Sequence, residues 1–242
     1  MAFKQLKNNW EELGKSDPYW AVLSDPAKIN NQCDLKQFYQ TGINFVQTID
    51  KKFSPLAHIR YGQVLDFGCG PGRITQALAQ KSQSAIGVDV SSTMIAEARK
   101  HNRFPAKCAY KVNPHVGLPD FASDTFDLVF SYITLQHIEP QYTLQYLTDF
   151  IRIAKPGGHI LFNLPTQPPF FFRVLKACIG QRGLNWLRRR YYRKSSVIEM
   201  HAIPEDEMKQ FFDKSNVELV ATLPDDRIGM RWQSNFYLLK AT

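Results

Sequence analysis

The sequence has no apolar run near the roughly 18 to 20 residues that a membrane-spanning helix requires, so a helical membrane protein is excluded as a reading. Its opening stretch, MAFKQLKNNWEELGK, lacks the apolar core and the small-residue cleavage site of a secretory signal. Cysteine is scarce: Cys33, Cys69, Cys108 and Cys178 are widely spaced, with no CxxC pair and no histidines at zinc-ligand spacing. That pattern speaks against a disulfide scaffold or a structural metal, and it predicts reduced thiols in a cytoplasmic protein. Internal repeats and low-complexity tracts are absent. So is any acidic residue between Pro165 and Ile198.

That last absence locates the charge. The chain of 242 residues carries a formal net charge of +8. Arg173, Lys176, Arg182, Arg188, Arg189, Arg190, Arg193 and Lys194 all fall in the acid-free segment, so the rest of the chain is formally neutral. The basicity is local and needs a local cause. Hydrophobic content of 44% and charged content of 21% are those of an ordinary globular chain, long enough for one α/β domain with a full core.

Periodicity organises the chain. Residues 1–34 read as an irregular leader, a cap on the substrate side, with Trp10, Tyr19 and Trp20 able to stack on an acceptor or to pack on the core. The body is residues 35–242. DLKQFYQTGINFVQTIDKKF (34–53) reads as a helix capped by Asp34. Strand patterns at 63–68, 84–90, 106–112, 126–133 and 158–165 then alternate with helix patterns at 72–81, 91–101 and 140–155. A basic aromatic insert or lid spans 165–203. A helix at 204–215 and two antiparallel strands, 217–224 and 234–241, close the chain. The expected fold is α/β: a Rossmann-like, doubly wound, seven-stranded and mostly parallel sheet, with antiparallel C-terminal pairing and a helical insert after strand five. In such sheets ligands sit beyond the carboxyl ends of the strands.

The turn at that edge is VLDFGCGPGRIT (64–75). Its glycines, Gly68, Gly70 and Gly72, spell GxGxG, and Arg73 stands where the dinucleotide fingerprint requires glycine. Asp66 at the strand end would repel a pyrophosphate and attract a cationic group such as an α-ammonium. Asp89, at the end of the second strand, suits both hydroxyls of a ribose. A ribose and an ammonium without a pyrophosphate describe S-adenosylmethionine.

Four stretches in order then resemble the class I S-adenosylmethionine-dependent methyltransferases: LDFGCGPG, GVDVSSTMIAEAR, LPDFASDTFDLVFSYITLQHI and IRIAKPGGHILF. The resemblance is close over about residues 35–165. It implies that Gly68 and Gly70 admit the cofactor against bare backbone and that Asp66 lies near its amino group. It implies that Asp89 binds the ribose, that Val90 and Met94 line the adenine, and that Asn113 accepts from the adenine amino group. Ser131 would border the methionine and the transferring methyl.

Methyl transfer needs an aligned acceptor and, for a hydroxyl, a base. His137 in YITLQHIEP is the first candidate and His201 in VIEMHAIPEDE the second, with Glu199 and Tyr132 as lesser ones. No metal is expected. No NPPY-type motif of amino-methylating relatives is present; FNLP (162–165) lies elsewhere. The expected reaction is methylation, at oxygen, of a small-molecule, glycan or lipid-linked acceptor. Two alternatives stand beside it: an RNA methyltransferase using the basic 165–198 segment, and a non-catalytic cofactor-binding module. The mixture of Phe170, Phe171, Phe172 and Trp186 with arginines is read as a lid over the pocket, as a contact with an anionic membrane surface through 170–194, or as a nucleic-acid track. The corresponding location is cytoplasmic, with peripheral attachment to a membrane under the second of these readings.

Overall fold

A computed structural model describes residues 3–23, 33–171, 198–227 and 232–242, together with 175, 178–180, 183–184, 186 and 190. The body begins with α3 (Leu35–Phe53), where Asp34 accepts from Gln37 N at 2.9 Å, the N-cap its sequence signals. Then follow β1 (Gln63–Phe67), α4 (Arg73–Lys81), β2 (Ser84–Asp89), α5 (Ser92–Lys100), β3 (Cys108–Val112) and β4 (Phe126–Ser131). A 3-10 turn (Leu135–His137) leads into α6 (Pro140–Ile153), β5 (Ala154–Gln167), α7 (Glu205–Asp213), β6 (Val217–Pro224) and β7 (Gln233–Ala241).

The strands form one seven-stranded sheet in the order β3-β2-β1-β4-β5-β7-β6. The first five run parallel, and β7 lies antiparallel between β5 and β6. This is the expected architecture. The described residues of the insert, from Phe170 to Arg190, are helical, as expected. The arginines and lysines at 173, 176, 182, 188, 189, 193 and 194, with Phe172, lie outside the described residues.

Two apolar layers flank the sheet. One gathers Leu65, Val129, Ile160 and Tyr237 with Leu147, Phe150 and Ile153 of α6. The other gathers Val64, Leu128 and Phe236 with Phe45, Ile49 and Phe53 of α3 and Leu78 of α4. Each fully buried Leu, Ile or Phe contributes about 1.5–3 kcal/mol by leaving water, so the two layers fix where the strand ends point. That β4 and the body of β5 are buried on both faces is why they read as continuous runs rather than alternating ones.

Two expectations need correction. Residues 1–34 are not an irregular leader: α1 (Phe3–Ser16) and α2 (Pro18–Leu23) occupy most of them. The apolar residues Phe3, Leu6, Trp10 and Leu13 recur at helical spacing, and Pro18 sits at a first helical position after Asp17, whose carboxylate accepts from Trp20 N at 3.2 Å. Pro18 marks a helix start rather than a break. The second correction is at 154–158, where the chain pairs with β4 directly after α6. The irregular register between Phe126 and Leu128 absorbs the KPGG turn.

No disulfide joins the four cysteines. Among the described residues no helix is long and apolar enough to cross a membrane, and no group of three His, Cys, Asp or Glu is placed to hold a metal ion.

Candidate active site at the carboxyl edge of the sheet

The carboxyl ends of β1, β2, β3 and β4 bring Gly68, Asp89, Asn113 and the 131–137 stretch to one edge. The glycine turn is shaped there by backbone. Gly68 has φ +76°, and a Cβ on it would lie 2.1 Å from the Thr134 side chain. Gly70 has φ +51°, and a Cβ on it would lie 3.0 Å from the Val22 side chain of the cap. Both positions disfavour a side chain, by conformation and by contact, with the contact severe at Gly68 and tight at Gly70.

Asp89 is aimed by this turn. Its Oδ2 accepts from Gly70 N at 2.9 Å and its Oδ1 from Ser91 N at 2.9 Å. Burial pushes its pKa up, and the N–H groups of Ser91, Gly70 and Val90 pull it back toward the charged form. A carboxylate so held keeps lone pairs for two adjacent hydroxyls. Asp66 is different. It is 2% exposed, and Thr75 Oγ1 donates to it at 2.6 Å. Burial raises its pKa to about 7, against the hydrogen bond from Thr75 and the nearby charge of Arg73.

Arg73 opens α4 and is 7% exposed. Its Nη1 reaches Thr41 Oγ1 at 3.3 Å, and its Nε has no acceptor among the described residues. A buried guanidinium with a vacant donor, beside a glycine turn, suits a ligand carboxylate. The ensemble of bare backbone, a ribose-type acceptor and this vacant donor fits a nucleoside carrying an amino-acid tail.

Asn113 turns its Nδ2 onto the carbonyls of His115 (3.2 Å) and Gly117 (2.8 Å). Those carbonyls require a donor, which explains an amide here instead of a carboxylate, and they direct Oδ1 away as an acceptor. Ser131 is 1% exposed, and its hydroxyl donates to Phe67 O at 3.1 Å, across the β1–β4 seam. Val90 is half-buried beside Asp89. Met94, 1% exposed, packs with Leu13, Trp20 and Ala21 of the cap.

The two histidines share Gln136 and Glu199 as neighbours. His137 Nδ1 lies 2.7 Å from Glu199 O, so Nδ1 carries the proton and Nε2 the lone pair, with the Gln136 amide nitrogen 3.3 Å from it. Trp10 tilts over the His137 ring at 5.2 Å. His201 N donates to Gln136 O at 2.7 Å, and His201 Nε2 lies 3.4 Å from the Glu199 carboxylate, within ion-pair range but outside hydrogen-bond geometry. Tyr132 lies on the other layer, stacked on Phe45 at 4.1 Å; burial pushes its phenol well above its ordinary value.

The sequence reading missed Glu11 and Arg73 as site residues. Glu11 reaches from α1 to the start of α5, accepting from Ser91 Oγ (2.8 Å), Ser92 Oγ (2.9 Å) and Thr93 Oγ1. Partial burial alone would raise its carboxyl, but the hydrogen bonds from Thr93, Ser91 and Ser92 outweigh it and hold the pKa down at about 2. A signal existed: three consecutive hydroxyls opening a helix, next to the ribose-type acid, and an acid on the polar side of an amphipathic leader.

The chain is similar to known methyltransferases. Residues 64–158 match the family described as a methyltransferase domain. The ubiquinone biosynthesis O-methyltransferase of Methylococcus capsulatus is 33% identical over 103 residues, 42% of this chain and 42% of that protein. The chain spans about half the length of the curated relatives it matches. Among solved structures, magnesium protoporphyrin IX methyltransferase from Synechocystis with bound S-adenosylhomocysteine superposes with a TM-score of 0.64 at 14% identity, over 98% of both chains. A Leishmania major S-adenosylmethionine-dependent methyltransferase superposes with a TM-score of 0.67 at 14% identity, over 98% of this chain and 82% of the other.

Proposed function

We propose that this chain, built around a class I S-adenosylmethionine-dependent methyltransferase domain, transfers a methyl group to a hydroxyl oxygen of a small molecule. The observation that carries the reading is the Asp89 carboxylate aimed by the Gly70 N–H in a left-handed glycine turn. The named O-methylating relative supports oxygen as the acceptor atom. When bound, S-adenosylmethionine supplies a methyl carbon on a sulfonium, which an aligned nucleophile displaces with a neutral thioether leaving.

The chain's own residues do the remainder. Asp89 takes the ribose hydroxyls, Arg73 the carboxylate, and Asn113 Oδ1 the adenine amino group, with Val90 at the adenine edge. Asp66 sets the field at the ammonium through the Thr75 contact, and Ser131 holds β4 against β1 at the methionine end. The α1–α2 cap excludes water, anchored by Glu11 and seated over Met94. His137 Nε2 receives the acceptor proton; the Glu199 carbonyl fixes its tautomer, and the His201 loop holds both in place.

A second proposal concerns where the acceptor is met. Phe170, Phe171 and Trp186 are 71%, 70% and 65% exposed, in a segment whose sequence holds eight cations and no acid. Aromatics beside unbalanced cations favour peripheral contact with an anionic lipid surface. Sedimentation with phosphatidylglycerol vesicles tests this. Binding that falls with Trp186→Ser, and is absent with phosphatidylcholine vesicles, supports it; equal recovery with both vesicle types refutes it.

The test of the function is to incubate the protein with methyl-labelled S-adenosylmethionine and cell extract, then to separate small molecules, lipids, proteins and RNA. Label in an alkali-stable small-molecule or lipid fraction is the expected result. Label confined to RNA would overturn it and turn the basic segment into a substrate track. Cofactor binding without label in any fraction would make the chain a binding module.

A further inference from the structure

We infer that Asn163 and Asp225 are positioning residues for the cofactor pocket, holding the turn after β4 in a conformation its own residue disfavours. Ile133 has φ +55°. For a β-branched residue this left-handed region is a steric outlier, and it persists only where surrounding contacts impose it. Asp124, the other non-glycine residue with positive φ among those described, lies in the loop before β4 and is of a type that tolerates it.

The imposing contact is explicit. Ile133 N donates to Asn163 Oδ1 at 2.7 Å, and Asn163 is 1% exposed. The amide is pinned from its other end, because Asn163 Nδ2 donates to Asp225 Oδ2 at 3.0 Å. Asp225, 3% exposed, is itself tied into the β6–β7 turn: its N–H donates to Ser234 O at 2.9 Å, and its Oδ1 accepts from Arg227 N at 3.3 Å. Burying an amide and a carboxylate is costly unless they are satisfied by each other and by the backbone. Here their combined effect is to present one oxygen to one strained N–H. The FNLP stretch, which has no role in the amino-methylation pattern, supplies that oxygen.

The pocket lies immediately beyond. Thr134 follows Ile133, and its side chain fills the space that a Cβ on Gly68 would need. Thr134 Oγ1 lies 3.4 Å from Gly68 O, and Thr134 O accepts from His137 N at 2.9 Å. Releasing Ile133 into an ordinary conformation would move Thr134 off the glycine turn and swing the His137 turn with it. The clamp reaches the cofactor through Thr134 and touches none of its expected atoms, so its role is positioning.

Ligand-free hydrogen exchange over residues 131–138, paired with S-adenosylhomocysteine calorimetry, tests this. Asn163→Ala is expected to speed exchange at least tenfold and to weaken the nucleoside at least fivefold. Asp225→Asn keeps an acceptor for Asn163 and is expected to stay within twofold of the parent. The decisive variant adds Ile133→Gly, which reaches the turn without a clamp: in that background Asn163→Ala is expected to cost less than twofold in affinity. Unchanged exchange in Asn163→Ala, or the same loss of affinity with and without Ile133→Gly, overturns the inference. If Asn163→Ala does not fold, Asp225→Ala carries the same comparison. The inference rests on the cofactor reading, and the exchange arm is independent of it: absence of nucleoside binding in the parent chain would fault the cofactor reading alone.

Discussion

Asp89 is held by N–H groups of its own loop and of the adjacent glycine turn, from Ser91 two residues on and Gly70 nineteen residues back. Glu11 is held by hydroxyls about eighty residues away, at the start of α5. Both carboxylates stand at the same edge of the sheet, and the difference between them separates two ways of building a site. The cradle consists of backbone groups that any sequence with these glycines and this strand order presents. The cap consists of side chains that meet only after the sheet has formed. A site of the first kind keeps its shape when the ligand leaves, whereas one of the second kind can open.

Removing the cradle's acceptor should have the largest effect. Asp89→Ala strips two ribose hydroxyls of a charged partner, and at about 1.5–3 kcal/mol for each such bond it should weaken S-adenosylhomocysteine roughly a thousandfold in calorimetry. A loss of tenfold or less would mean that Asp89 serves the Gly70 turn and not the ligand. His137→Ala comes next. Turnover on the labelled acceptor fraction should fall about a hundredfold while nucleoside affinity stays within threefold. Loss of both together would move His137 from the chemistry into the cradle.

The cap should respond more weakly and with pH. Glu11→Ala should cost about tenfold in nucleoside affinity and expose the α1–α2 segment to limited proteolysis; unaltered cleavage would show that the apolar contacts of Leu13 and Trp20 suffice. Because the Glu11 carboxyl is held down to about 2 in the folded chain, its contribution is complete above its ordinary value of about 4.5. It is lost as pH falls from there toward 2. Asp66 works in the opposite sense: its folded pKa of about 7 lies above the ordinary carboxylate range, so its contribution is full at low pH and is lost as pH rises through 7. Asp66→Asn should therefore flatten the decline of Tm between about pH 4 and pH 7, by a few degrees. An unchanged slope would mean that Asp66 ionises freely beside Arg73.

The same division governs what the sequence revealed. Strand and helix order, the Asp34 and Ser91 caps and the GxGxG turn are local patterns, and each appears where periodicity puts it. Asp89 was legible because a strand end two elements along is a topological position. Glu11 and Arg73 were not, since their partners are fixed by packing of α1 and α3 across the sheet edge. The leader misread as irregular illustrates the reason: the helical spacing of Phe3, Leu6, Trp10 and Leu13 was the signal that reading passed over. Ile133 was invisible for another cause. Nothing in SYITLQ announces a left-handed isoleucine, because the groups that impose it come from β5 and the β6–β7 turn.

The most direct check of the cradle is a calorimetric titration of the unmodified chain with S-adenosylhomocysteine, followed by the same titration with NADH in the cell. Saturable binding of one nucleoside per chain, unaffected by NADH, is the outcome expected from Asp89 and the buried guanidinium of Arg73 without a third fingerprint glycine. Saturable NADH binding, or none by the nucleoside, would contradict the assignment of this edge.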